Sequence, residues 1–109
     1  MADERRQRKA EAFQALHEGE PFLIPNPWDA GSAKLLTSIG CQALATTSSA
    51  FAATLGRLDG HVTRDEVLAH CEALVAATEL PISADLENGF GDDPADAART
   101  IELANATGI

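Results

Sequence analysis

Three short apolar runs, Phe22-Leu23-Ile24, Cys41 to Thr47 and Ile82 to Leu86, are each followed by a stretch with helical spacing. No other feature limits the fold as strongly. Short apolar strands that alternate with helices build a parallel sheet from βαβ units, with the strands buried on both faces. The punctuation agrees with this. Pro25-Asn26-Pro27 closes the first run, Asp29 can cap a helix over residues 30–39, and Gly40 supplies its stop. Thr63-Arg64-Asp65-Glu66 is a capping box, in which the Thr oxygen and the Glu side chain each satisfy an orphan N–H of the first turn. The helix it opens carries Val67, Cys71, Leu74, Val75 and Thr78 along one stripe. Pro81 restarts the chain as the third strand, and Asp93-Pro94 offers a cap and a first-turn proline for a last helix ending near Thr107.

Ahead of these units, residues 3–18 read as a helix with Ala10, Phe13 and Leu16 at helical spacing, ended by Gly19. Ser48 to Gly60 reads as a loop rich in small residues. The expected division is an N-terminal helix over 1–20 and three βα units over 21–109, with no linker or shift in composition between them. A parallel sheet of three strands leaves an edge unpaired, so this pattern reads as the front part of something larger.

At 109 residues and 45% hydrophobic content the chain can bury a modest core. Its net charge of −9 argues against a nucleic-acid partner. The cluster Arg5, Arg6, Arg8 and Lys9 reads as the solvated face of the first helix. No apolar stretch approaches the ~20 residues of a membrane helix, and MADERRQRKAEAF has no apolar signal segment. The expectation is a cytoplasmic protein with no membrane partner. Cys41 and Cys71 have no ligand spacing and are expected as buried thiols.

Ligands of parallel α/β folds bind at the C-terminal ends of the strands. Asn26 to Asp29, Thr46 to Asp59 and Asp85 to Gly91 occupy those ends. If the third strand persists, Asp85 and Glu87 share a face, and paired carboxylates suit a hard cation such as Mg²⁺. The other reading turns Glu87 outward and makes Asp85 a cap for the glycine loop. Thr47-Ser48-Ser49-Ala50 offers hydroxyls and N–H groups that could hold a carboxylate, or is an ordinary small-residue loop. Asp59, before Gly60, reads by itself as a turn residue. Gly89-Phe90-Gly91 lacks the third glycine of a dinucleotide fingerprint, and Asp92 and Asp93 would repel a pyrophosphate. His17 and His70 read as surface or boundary residues on helices.

Four stretches together are more specific than any of these alone. Pro27-Trp28-Asp29-Ala30-Gly31-Ser32-Ala33, Ala45-Thr46-Thr47-Ser48-Ser49-Ala50, Leu55-Gly56-x-x-Asp59-Gly60 and Ala84-Asp85-Leu86-Glu87-Asn88-Gly89-Phe90-Gly91 closely resemble the isocitrate lyase/phosphoenolpyruvate mutase superfamily, in its order. The resemblance implies a (β/α)₈ TIM barrel behind an N-terminal helix, with Mg²⁺ at the C-terminal mouth of the strands. It implies chemistry on a 2-oxo acid or its adduct, as a C–C bond lyase or a C–P bond mutase or hydrolase. By position, Asp85 matches the direct metal ligand, and Asp59 and Glu87 match carboxylates that reach the metal through water. Ser48, Ser49 and Ala50 match the loop that grips the substrate carboxylate, while Trp28 and Asp29 match a structural motif shaping the first βα turn.

Glu87 stands where the well-known lyases have Asp, Leu58 replaces a common proline, and the loop at Ser48 lacks their glycines. These choices resemble the mutase-like branch. A barrel of this kind needs about 250 residues, so the chain corresponds to roughly the first three of eight units and the barrel is incomplete. A further acidic ligand, the acid/base residue and a substrate-binding Arg are expected beyond Ile109, and the fragment alone is expected to be inactive. The complete protein is expected to bind a small-molecule carboxylate and to be a homo-oligomer. The alternative is a non-catalytic, truncated α/β module that assembles with a partner chain. A flavodoxin-like phosphate-binding domain fits the βαβ order but lacks a glycine-rich phosphate loop.

Overall fold

A computed structural model describes residues 2–109. The elements in chain order are α1 (Ala2–Leu16), α2 (Ala30–Ser38), β1 (Leu44–Ala45), α3 (Ser48–Thr54), α4 (Arg64–Ala77), β2 (Ile82–Ser83) and α5 (Pro94–Thr107). β1 and β2 are parallel neighbours, with Leu44 opposite Ile82 and Ala45 opposite Ser83. A parallel pair needs a long crossover, which α3 and α4 supply.

The helix ends are set by local chemistry, as their sequence signals suggest. Ser32 N–H donates to Asp29 Oδ1 at 2.8 Å while Asp29 N–H donates to Ser32 Oγ at 3.1 Å, a reciprocal cap on α2. On α4, Glu66 N–H donates to Thr63 Oγ1 and Thr63 N–H to Glu66 Oε1, at 3.2 and 3.0 Å. Gly40 follows α2 with φ +97°. Pro94 opens α5, but the expected Asp93 cap is absent: its side chain accepts no N–H of the first turn.

The strands differ from expectation. Phe22-Leu23-Ile24 joins no ladder, and Leu23 is 88% exposed instead of buried. Pro21, Pro25 and Pro27 have no N–H to give to a ladder. The segment is tied to β1 by Ala45 N–H to Pro25 O at 3.0 Å and by Asn26 Nδ2–H to Ala45 O at 2.9 Å. The other two strands are shorter than their apolar runs. Past Thr46 N–H to Ser83 O, at 2.8 Å, the regular pairing gives way to a side chain: Asp85 N–H donates to Thr46 Oγ1 at 2.7 Å. Ser48 to Thr54, expected within a loop, is helical. Its alanines favour helix, and Thr47 Oγ1 accepts from Ala50 N–H at 3.4 Å to start it.

The core joins Ala33 of α2, Leu44 of β1, Leu74 of α4 and Ile82 of β2. Leu44 and Leu74 are wholly buried, each contributing about 1.5–3 kcal/mol of hydrophobic stabilisation. α4 is the central helix, packed on α2 and on α5. At one end of that packing, the hydroxyls of Thr37 and Thr78 lie 2.7 Å apart. α1 buries no residue and is held from outside, by an ion pair between Arg5 and Glu79 and by Arg6 Nη1–H to Asn105 O at 3.1 Å. Cys71 is buried as expected, Cys41 half-buried. His70 is not at the surface: it is 8% exposed and stacked on Phe51 of α3, with ring centroids 3.9 Å apart. A cavity of about 320 Å³ lies beside β2, lined by Lys9, Phe13, Ile82, Ala84, Leu86 and Ile101 among others.

Candidate metal and carboxylate site

Because β1 and β2 are adjacent and parallel, the segments leaving their C-terminal ends emerge side by side. One becomes α3; the other becomes the acidic loop from Asp85 to Gly91. Asp85 bridges them. Its N–H is held by Thr46 Oγ1, its Oδ2 accepts from Ser48 N–H at 3.2 Å, and its Oδ1 accepts from Glu87 N–H at 3.0 Å. Asp85 therefore does cap the loop, yet each carboxylate oxygen keeps a lone pair for another partner. Burial alone would raise the Asp85 carboxyl, but the hydrogen bonds from Glu87 and Ser48 outweigh it and hold the group below the usual carboxylate value. It is anionic at neutral pH.

Glu87 reaches the same region by an unexpected route. The strand does not persist to it. Its φ is +53°, so the period-two argument for a shared face does not apply. Burial first, then the charges of Asp59 and Asp85, push the Glu87 carboxyl above its ordinary value. Asp59 behaves locally as a turn residue, its Oδ1 accepting Gly60 N–H at 3.0 Å. Asp59 and Asp85 thus both lie within electrostatic reach of Glu87, and among the described residues none of the three forms an ion pair.

That accumulation of like charge fits a cation, and the donor set decides which kind. The described residues contain no group of three or more His, Cys, Asp or Glu side chains placed to hold a metal ion by themselves. A dedicated protein cage is therefore not the fit. Hard oxygen donors with a single well-oriented carboxylate suit a hydrated ion such as Mg²⁺, which keeps several waters and takes one or two carboxylates.

Of the expected carboxylate-gripping residues, Ser48 and Ala50 have their N–H groups engaged, by Asp85 and by Thr47 Oγ1. Ser49 is exposed, its hydroxyl 3.4 Å from that of Thr47. Two residues that sequence reasoning did not single out support the site: Thr46, which receives Asp85 N–H, and Thr100, whose hydroxyl donates to Gly89 O at 2.6 Å. The β1 motif contained Thr46 as a signal; nothing local marked Thr100.

The sequence profile of the phosphoenolpyruvate phosphomutase family matches residues 13–109. A 2-methylisocitrate lyase from Halalkalibacterium halodurans is 38% identical over 84 residues, which cover 75% of this chain and 28% of that protein. Among solved structures, a protein from Burkholderia cenocepacia described as a lyase/mutase superposes with a TM-score of 0.91 and 53% identity over 95% of this chain and 38% of the other. A 2,3-dimethylmalate lyase of the PEP mutase/isocitrate lyase superfamily superposes with a TM-score of 0.81 at 27% identity, over 96% of this chain and 37% of the other. The chain thus spans between 28% and 38% of the length of these three proteins. The five helices and two short strands among the described residues correspond to the N-terminal part of their fold.

Proposed function

The chain belongs to the phosphoenolpyruvate phosphomutase family, and from that premise we propose that it is the N-terminal part of a Mg²⁺-dependent enzyme acting on a 2-oxo acid or its adduct. The reaction is a C–C bond cleavage or a C–P bond rearrangement or hydrolysis. The observation that carries this reading is Asp85: a carboxylate just past the end of β2, oriented through both oxygens, whose charge is felt by Glu87 together with that of Asp59, with no ion pair to any of the three among the described residues.

In this reading Asp85 holds the ion directly, and Asp59 and Glu87 hold its waters. When bound, the ion supplies Lewis-acid polarisation of a substrate oxygen and offsets the negative charge that develops there. Ser48 fixes Asp85 through its N–H, so in this reading the substrate carboxylate is met by the Ser48 and Ser49 hydroxyls, with the half-buried Ala50 beside them. The remaining acid/base and charge-binding groups come from the portion that completes the barrel. The complete protein is a cytoplasmic homo-oligomer in this proposal, and residues 1–109 alone turn over little or nothing.

The test is substitution in the complete protein, read by both Mn²⁺ affinity and turnover. Asp85→Ala is expected to abolish detectable Mn²⁺ binding and most activity. Glu87→Ala is expected to weaken both by about 10–100-fold, the usual effect of an outer partner of a metal site. Near-normal Mn²⁺ affinity in Asp85→Ala would refute the assignment. A second reading, a non-catalytic module that pairs with another chain, draws on the cavity beside β2 and the exposed Leu23. A sharp monomer or small oligomer on size exclusion, with no Mn²⁺ binding by the complete protein, would favour it.

A further inference from the structure

The acidic loop is held in an unusual backbone. Glu87, Gly89 and Phe90 have φ of +53°, +84° and +61°, so two non-glycine residues stand in left-handed conformations within four positions. Such conformations are sparsely populated by side-chain-bearing residues and persist where the surroundings over-determine them.

Several hydrogen bonds lie inside the loop itself. Glu87 N–H reaches Asp85 Oδ1, Gly89 N–H reaches Leu86 O at 2.9 Å, and Phe90 N–H reaches Asn88 Oδ1 at 3.1 Å. These shape the turn but do not fix it to the protein. Among the described residues, one hydrogen bond ties the loop beyond Asp85 to another element: Thr100 Oγ1–H to Gly89 O, 2.6 Å, buried. Thr100 has no solvent exposure at all. Its hydroxyl also departs from what other helical threonines here do. Thr37, Thr54 and Thr107 each donate back to a carbonyl three or four residues earlier in or beside their own helix, Ala33, Phe51 and Ala104. That local bond is the usual choice for Thr in a helix. Thr100 instead reaches eleven residues back, across to the loop. Gly89 makes the approach possible, since a Cβ there would lie 2.7 Å from Ala97 Cα on the same helix.

We propose that Thr100 is a positioning residue, whose buried hydroxyl holds the Gly89 carbonyl against α5 and thereby keeps Glu87 in the left-handed backbone that places its carboxylate beside Asp85. The role assigned to Glu87 rests on the metal reading given above; the geometric role of Thr100 does not.

The test compares Thr100→Val, which keeps the shape and removes the oxygen, with Thr100→Ser, which keeps the oxygen, in the complete protein. Two readouts are taken. Strong intraresidue HN–Hα NOEs at Glu87 and Phe90 report positive φ, and Mn²⁺ titration reports the site. Wild type and Thr100→Ser are expected to show both NOEs and equal Mn²⁺ affinity. Thr100→Val is expected to lose the Glu87 NOE and to bind Mn²⁺ about 10-fold or more weakly. If Thr100→Val keeps the Glu87 NOE and wild-type affinity while only its melting temperature falls, the hydroxyl is merely structural and the proposal is overturned. Loss with Thr100→Ser as well assigns the effect to packing and also overturns it. A wild-type protein that shows the NOEs, loses them in Thr100→Val, yet binds no Mn²⁺ would refute the metal reading and leave the positioning role standing. Should Thr100→Val fail to fold, Thr100→Ala against Thr100→Ser, which differ by one oxygen, makes the same comparison.

Discussion

Replacing Gly89 with alanine separates two costs that the structure superimposes. With φ at +84°, an alanine would adopt a left-handed backbone, which costs about 1–2 kcal/mol for a residue with a Cβ. That Cβ would also sit 2.7 Å from Ala97 Cα and 2.8 Å from Ala97 Cβ. The obstacle is helix backbone, so relief requires the loop or α5 to shift, at about 1–3 kcal/mol for overpacking. The sum is about 2–5 kcal/mol. Gly40 is the control, because its φ is +97° and nothing lies within 4 Å of the added Cβ. Gly40→Ala should therefore carry only the left-handed cost, about 1–2 kcal/mol. Equilibrium urea denaturation followed by far-UV circular dichroism measures both. With a slope of about 2 kcal/mol/M, the midpoint falls by about 1–2.5 M for Gly89→Ala and about 0.5–1 M for Gly40→Ala. Equal shifts would refute the reasoning: they would mean that the acidic loop does not rest on α5.

Two further outcomes follow from named contacts. Thr46→Val removes the acceptor of Asp85 N–H, and since Asp85 is exposed enough for water to compensate in part, the expected loss in the same urea assay is about 1 kcal/mol, with Thr46→Ser close to wild type. Glu66 is held down to about 2, first by its hydrogen bond with Arg57 and then by those from Thr63. Its folded value lies below the unfolded 4.5, so its stabilisation is present above pH 4.5 and is lost as pH falls toward 2. Glu66→Gln should flatten stability against pH across that window; an unchanged acid limb would show that the Arg57 contact does not persist in solution.

The signals that were legible in the sequence are those that act within one turn. Asp29, and Thr63 with Glu66, specify helix starts through atoms three residues apart, whereas the equally local cap expected of Asp93 does not form, and the Ser32 half of the Asp29 cap was not read from the sequence. Strand length was not legible, because the ladder is cut short where Thr46 Oγ1 replaces a backbone partner of Asp85, a contact between residues 39 positions apart. The Ser48 stretch looked like a loop since small polar residues and alanines carry no periodic stripe. Its helix starts at the Thr47 cap and sets Phe51 against His70, whose burial was legible in its place between Val67 and Leu74 on the apolar stripe but was not read there. The geometric reason for pairing Asp85 with Glu87 does not hold, although the charge of Asp85 is felt at Glu87. Alternation along a strand suggested a common face, whereas the strand ends before Glu87, which stands in a left-handed conformation.

The parallel register of β1 with β2 has a consequence for how such a site comes into being. Thr46, Ser48, Asp59, Asp85, Glu87 and Thr100 all lie within one stretch of chain, on neighbouring strands and the helices that follow them. Chains emerge from the ribosome at about 5–20 residues per second, N-terminal parts first. These six residues are therefore synthesised within seconds of one another, ahead of whatever would complete the proposed barrel. The repulsion that Asp59 and Asp85 exert on Glu87 would be most exposed at that stage, so under the metal reading proposed above the concentration of divalent cations during translation would act on folding yield as well as on the proposed catalysis.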